Sequence, residues 1–337
     1  MELSAGKFWG LRRLADQNGV FKMTAIDQRP PIMNLVKERR GLDVAPHGDV
    51  AAVKRALASA LGPHSSALLI DPDYAYSAVI DRISPTKGVL HTLEGYAFEA
   101  TPGGRRSSEI PSWSVAKIRR AGGDAVKLLV WYRPDADPDV CCHQQALVQR
   151  TGAACRRYDL PFVLEMLFYP WADNQAPGES AERRADLVLE TVRTFAAPDY
   201  GVDLFKLESP IPAADVPDPT DDADPAVQAM QRWYDQMGEI SGRPWVVLSA
   251  GASKEAFKRV LTYAYRAGAS GFLAGRAIWW RAFQRFPDLD AMAAELRSDS
   301  VPYMREICAL TDQMARPWPS RRGLRVPAGR CRARWRS

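Results

Sequence analysis

The sequence predicts an α/β fold of the (β/α)8 TIM-barrel type in a single domain, and three observations point to it. Short apolar runs recur eight times between residues 21 and 279. Amphipathic stretches with helical spacing separate several of them. Together the repeating units span the ~250 residues that such a barrel occupies. Strand alternating with helix is the pattern of a parallel sheet. A doubly wound sheet is the competing architecture, but it more often shows five or six strands with an early GxGxxG turn, and none follows FKMTAID (21–27).

In chain order, FKMTAID (21–27), SALLIDP (66–72) and GVLHTLE (88–94) are apolar runs that close on or beside an acidic residue. DAVKLLVWY (124–132), LPFVLEMLFY (160–169) and VDLFKLESP (202–210) each hold a charge inside the run. PWVVLSAG (244–251) and GFLAGRAIW (271–279) finish the series on small residues. Helical spacing marks SVAKIRRAG (114–122), ERRADLVLETVRTF (182–195) and KEAFKRVLTYAYRAG (254–268). The stretch at 210–227 is expected to be a long loop at the barrel mouth. The domain plan is therefore a lead-in at 1–20, a barrel at 21–315 and an arginine-rich tail at 316–337.

Hydrophobic residues at 46% and charged residues at 25% are ordinary for a globular protein with a core. The first twenty residues lack the apolar stretch of a signal peptide, and no run reaches the ~18 apolar residues of a membrane span. A cytoplasmic protein with no membrane partner is expected. Five cysteines, with Cys141 and Cys142 adjacent, suit neither a disulfide framework nor a zinc knuckle, so reduced thiols are expected. The net charge of +5 is local: residues 316–337 hold eight arginines and no acid, leaving residues 1–315 at −3 (+5 minus 8). Such a tail is expected to be a disordered, solvated appendage, its functional alternative being a polyanion-binding arm. With no aromatic-interleaved basic patch elsewhere, nucleic acid is not an expected partner. A homo-oligomer is compatible with the sequence.

Strand side chains alternate, so Leu204, Lys206 and Glu208 face one way and Phe205 and Leu207 the other. The apolar pair suits the helix layer, which points Lys206 into the barrel near the C-terminal strand end, where TIM-barrel chemistry resides. Lys127 in DAVKLLVW and Glu165 in FVLEMLFY follow the same rule. A buried ion pair would account for Glu165 and one lysine but not the second, and buried ion pairs are poor sources of stability. The alternative uses the crowding: a neighbouring ammonium and a desolvated site favour a free amine that can attack a carbonyl, with Glu165 as proton shuttle.

Other strand ends meet at the same mouth. The first ends in Asp27, Gln28 and Arg29, where an aspartate is as often a cap as a functional group. LSAGAS (248–253) and AGRA (274–277) offer small residues where such barrels hold phosphate through backbone N–H groups, and Arg276 beside them suits a phosphate clamp. Metal chemistry fits poorly. Of His47, His64, His91 and His143 none has a second histidine at ligand spacing, so no metal is expected, and His91 reads as a core or loop residue. CCHQQ (141–145) is weak support for Cys–His catalysis, because adjacency in sequence does not supply the geometry.

AIDQR (25–29), DAVKLLVWY, FVLEML (162–167), DLFKLESP (203–210), LSAGAS and AGRAIW (274–279), in this order, resemble the class I tagatose 1,6-bisphosphate aldolase family over roughly residues 15–285. The resemblance implies a Schiff-base aldolase without a cofactor, acting on a phosphorylated ketose and releasing dihydroxyacetone phosphate and glyceraldehyde 3-phosphate. It implies Lys206 as the Schiff-base lysine, Glu165 as the acid/base carboxylate, Lys127 as the second lysine and Asp27 as the carboxylate handling the carbinolamine. Ser249, Gly251, Gly275 and Arg276 fall where the family holds the 1-phosphate, with Gln28 as a further substrate residue. Related members cleave 6-deoxy-6-sulfofructose 1-phosphate, and a Schiff-base aldolase for that sugar or another keto-sugar phosphate is the first alternative. A non-catalytic sugar-phosphate sensor on the same barrel is the second. Pro30 and Pro31 depart from the family pattern, as does the arginine-rich tail.

Overall fold

The computed structural model describes residues 3–171 and 179–320. Eight parallel strands close into a barrel: β1 (Phe21–Ala25), β2 (Ala67–Ile70), β3 (Gly88–Thr92), β4 (Ala125–Trp131), β5 (Phe162–Leu167), β6 (Leu204–Leu207), β7 (Trp245–Val247) and β8 (Gly271–Ala274). Every run expected to be a strand is one. Closure joins β8 to β1 from Phe21↔Gly271 to Thr24↔Ala274. A glycine is required at the seam, because Gly271 has φ 145° and a Cβ there would lie 1.9 Å from the Phe21 carbonyl oxygen.

Alternation along the strands sorts the apolar side chains into two cores. Met23, Leu69, Leu90, Ala125, Val163, Leu204, Val246 and Leu273 fill the barrel interior. Their strand neighbours, such as Leu68, Val126, Phe162, Phe205, Trp245 and Phe272, meet the outer helices in the larger core. Helix Lys254–Arg266 shows how that layer forms: the Ser253 hydroxyl accepts from the Ala256 N–H at 3.2 Å, and Phe257, Val260, Leu261 and Ala264 make its buried stripe. Lys127, Glu165 and Lys206 stand two residues beyond Ala125, Val163 and Leu204, on the inward parity. A short antiparallel hairpin (Glu99–Thr101 with Gly104–Arg106) lies between β3 and β4. Pro30 and Pro31 open helix Pro30–Arg40, in a first turn where a missing N–H leaves no bond unmade.

The opposite end of the barrel is plugged by helix Ala5–Leu14, whose Leu11 and Leu14 join the interior core with Leu3. Here the expected tail boundary needs correction. Trp318 is 1% exposed within the same cluster, its backbone N–H donates to the Gly19 carbonyl at 2.9 Å, and its ring meets Phe8 edge-on at 5.5 Å. The Arg316 N–H donates to the Ala269 carbonyl at 2.9 Å. Residues 316–320 thus belong to the folded body, because one large aromatic outweighs the solvation of the basic residues around it; the expected disorder of 321–337 lies outside the described residues. Trp318→Ala is expected to cost about 3–5 kcal/mol in urea unfolding. An unchanged midpoint would place Trp318 outside the folded core.

Candidate active site

The three charged strand residues converge on one point inside the barrel. Glu165 on β5 and Lys206 on β6 are register partners, and the Lys206 Nζ lies 2.9 Å from Glu165 Oε2. Lys127 on β4 brings its Nζ to 2.8 Å from the same oxygen. One carboxylate oxygen therefore bridges two amines. Lys127 also reaches Asp27 Oδ2 at 3.1 Å, just past the end of β1, and pairs with Glu94 just past the end of β3. All five side chains are buried.

The two lysines differ in their partners. Burial works against the Lys127 ammonium, but Asp27, Glu165 and Glu94 together overcome it and raise its pKa above the ordinary lysine value. Lys127 is a fixed cation. Burial likewise opposes charge on Glu165, yet Lys127 and Lys206 outweigh it and hold the carboxyl below the ordinary glutamate range. Asp27 follows the same logic, with Lys127, Lys206 and Arg29 overcoming its burial. At rest the site holds ionised carboxylates, ready to accept protons. Lys206 forms an ion pair only with Glu165 among the described residues, so a single proton transfer would free its amine for attack on a carbonyl.

Across the mouth, β7 and β8 end in a second arrangement. Ala250 and Gly251 both have positive φ, 48° and 84°, and the Ala252 N–H donates back to the Ser249 carbonyl at 2.8 Å, which closes a tight turn of the primed type. Gly251 lies under the Arg276 guanidinium; a Cβ there would come within 3.3 Å of its Cζ. Gly275 caps helix Arg276–Phe283, and the Gln28 amide packs over it. Ser249 is buried at the start of the turn. Gln28, Ser249, Gly251, Gly275 and Arg276 thus share one rim, with a guanidinium and a helix N-terminus suited to an anion.

Glu94 was not among the residues singled out in the sequence, although it closes GVLHTLE at the inward parity. Its second oxygen accepts from the Leu129 N–H at 3.0 Å, and the Arg29 guanidinium donates to its carbonyl at 2.9 Å. Glu208, expected to face inward with Lys206, does not join the cluster. It stands beyond the last residue of β6, where strand alternation no longer applies, and its carboxylate accepts from Arg184 at 2.8 Å and from the Phe168 N–H. His91 is buried on the outer face of β3 between Tyr76 and Trp113, where burial pushes it down to about 4. Cys141, Cys142 and His143 lie on the outer helix Pro138–Arg157, with the His143 ring bonded to the Ser107 carbonyl at 2.9 Å.

Comparison with known proteins adds a family to this geometry. The sequence profile of the DeoC/LacD family aldolases matches residues 21–281. The tagatose 1,6-diphosphate aldolase of Listeria monocytogenes is 31% identical over 336 residues, covering 96% of either chain. Tagatose 1,6-diphosphate aldolase 2 of Enterococcus faecalis is 32% identical over 300 residues, covering 87% of this chain and 89% of its own. Among solved structures, the fructose-bisphosphate aldolase of Plasmodium falciparum superposes with a TM-score of 0.65 at 15% identity, over 94% of this chain and 98% of that one. An archaeal fructose-1,6-bisphosphate aldolase, solved with its catalytic lysine bound to a carbinolamine intermediate, gives 0.56 at 16% identity over 90% and 98%. At these identities the structural likeness is one of fold.

Proposed function

The chain belongs to the DeoC/LacD family of aldolases and is a carbon–carbon lyase, and on that footing we propose that it cleaves tagatose 1,6-bisphosphate to dihydroxyacetone phosphate and glyceraldehyde 3-phosphate through a Schiff base on Lys206. The supporting observation is the Glu165 oxygen that lies 2.8 Å from Lys127 and 2.9 Å from Lys206. Lys206 passes a proton to Glu165 and attacks the C2 ketone. Loss of water from the carbinolamine, with Asp27 beside it, returns the proton and leaves an iminium. Glu165, again ionised, takes the C4 hydroxyl proton as the C3–C4 bond breaks, and the electron pair flows into the iminium. The aldehyde product leaves. Protonation of the enamine at C3 and hydrolysis then release dihydroxyacetone phosphate and the free lysine. The fixed Lys127 cation stabilises negative charge on the oxygens in transit.

The 1-phosphate is assigned to the rim of Ser249, Gly251, Gly275 and Arg276, with Gln28 alongside. A coupled assay of dihydroxyacetone phosphate release tests both assignments. Tagatose 1,6-bisphosphate should be cleaved, with fructose 1,6-bisphosphate and 6-deoxy-6-sulfofructose 1-phosphate as competitors. Release from none of the three would overturn the activity, and release from the sulfo-sugar alone would overturn the substrate. In the same assay Arg276→Ala should lower kcat/KM by about one to two orders of magnitude, the worth of one charge-assisted hydrogen bond. Cleavage of a ketose lacking the 1-phosphate should stay unchanged; equal harm to both substrates would make Arg276 structural.

A further inference from the structure

Helix His47–Leu61 packs Val50, Val53, Leu57 and Leu61 against the barrel, and the same buried face carries Lys54, which is 0% exposed. An ammonium has three hydrogens to place, and this one places all three. Its Nζ donates to the Ile26 carbonyl at 2.7 Å, to the Gln28 carbonyl at 2.9 Å and to the carboxylate of Asp71, one residue past β2. Asp71 is itself fixed, its other oxygen accepting from the Tyr74 N–H at 2.8 Å. Ile26 and Gln28 are the residues on either side of Asp27. One position earlier, the Ala25 carbonyl accepts from the Trp279 indole at 3.0 Å. The backbone leaving β1 is thus held at residues 25, 26 and 28, around the aspartate that faces Lys127.

We propose that Lys54, seated on Asp71, is a positioning residue for the lyase reaction, fixing the backbone on both sides of Asp27 so that its carboxylate stays on Lys127 and over the carbinolamine. This rests on Asp27 being a working carboxylate of the site. Stability alone is a weak reason for such a pair, since a buried ion pair contributes little net stability. Two of its three hydrogens also go to backbone, not to the counter-ion. Small displacements of a reacting group cost heavily, about a hundredfold for ~1 Å, so the clamp should be visible in turnover.

The test combines Lys54→Met with Asp71→Asn, which removes both charges and leaves no unpaired ion buried, and repeats the pair in an Asp27→Asn background. The clamp double variant should stay folded and lose about 10- to 100-fold in kcat, with KM changed less than about threefold. In the Asp27→Asn background the same pair should cost less than about twofold, because the group it positions is already disabled. Should the double variant fail to fold, Asp71→Asn alone, which loosens the seat but keeps the donors, should give a smaller kcat loss that likewise disappears in the Asp27→Asn background. Losses that multiply in full would overturn the positioning role while leaving Asp27 in the mechanism. An Asp27→Asn enzyme with undiminished kcat would instead remove Asp27 from the mechanism, and the clamp's role with it.

Discussion

Lys206→Ala is expected to remove about four to six orders of magnitude from kcat, the scale on which loss of a covalent nucleophile is felt. Borohydride reduction in the presence of dihydroxyacetone phosphate should add mass to the wild-type peptide containing Lys206 and to no peptide of the variant. Among the described residues four lysines are buried, and the three besides Lys206 are committed elsewhere. Lys7 pairs with Asp203 at 2.6 Å, Lys54 is spent on two carbonyls and Asp71, and Lys127 meets three carboxylates. Only Lys206 combines the barrel interior with a single carboxylate partner among the described residues. The variant should fold, since Glu165 keeps Lys127 as counter-ion and no carboxylate is left alone. Labelling at Lys127, or a Lys206→Ala enzyme with more than about a thousandth of wild-type turnover, would defeat the Schiff-base assignment.

The barrel and the inward lysines were legible because a strand has a period of two and the rule is unambiguous within it. Lys127, Glu165 and Lys206 lie inside β4, β5 and β6, and each points where parity sends it. Past a strand end the rule lapses, and two glutamates show the result. Glu94 follows β3 by two residues and turns in to Lys127, while Glu208 follows β6 by one and turns aside to Arg184. Each goes where a backbone N–H of the neighbouring strand donates to it, Leu129 within β4 for one and Phe168 just past β5 for the other. That choice depends on contacts far apart in sequence. Lys54 did leave a local signal: it sits at i+4 from Val50 on an otherwise apolar helical stripe, where a lysine requires a buried acceptor. Trp318 was hidden by composition, since a run of arginines describes the solvation of a segment and not the fate of one indole within it.

Glu165→Gln is expected to lower kcat by about two to four orders of magnitude, the range for loss of a positioned general base. The amide keeps the shape and still presents an oxygen to both lysines, so the fold should persist; it cannot take the C4 hydroxyl proton. Lys127 retains Asp27 and Glu94, whereas Lys206 loses the one carboxylate it pairs with among the described residues, so borohydride trapping should slow as well. The pH profile separates this role from a purely electrostatic one. Glu165 must be ionised to act as base, and its neighbouring ammonium groups hold it below the ordinary glutamate range despite burial. The acid limb of wild-type kcat/KM that it governs should therefore lie below that range and vanish in the variant, leaving slow turnover that no longer falls there as pH drops. An acid limb near neutrality, unchanged by the substitution, would assign the proton transfer to another group. A variant within tenfold of wild-type kcat would mean that cleavage does not pass its proton through the oxygen shared by Lys127 and Lys206.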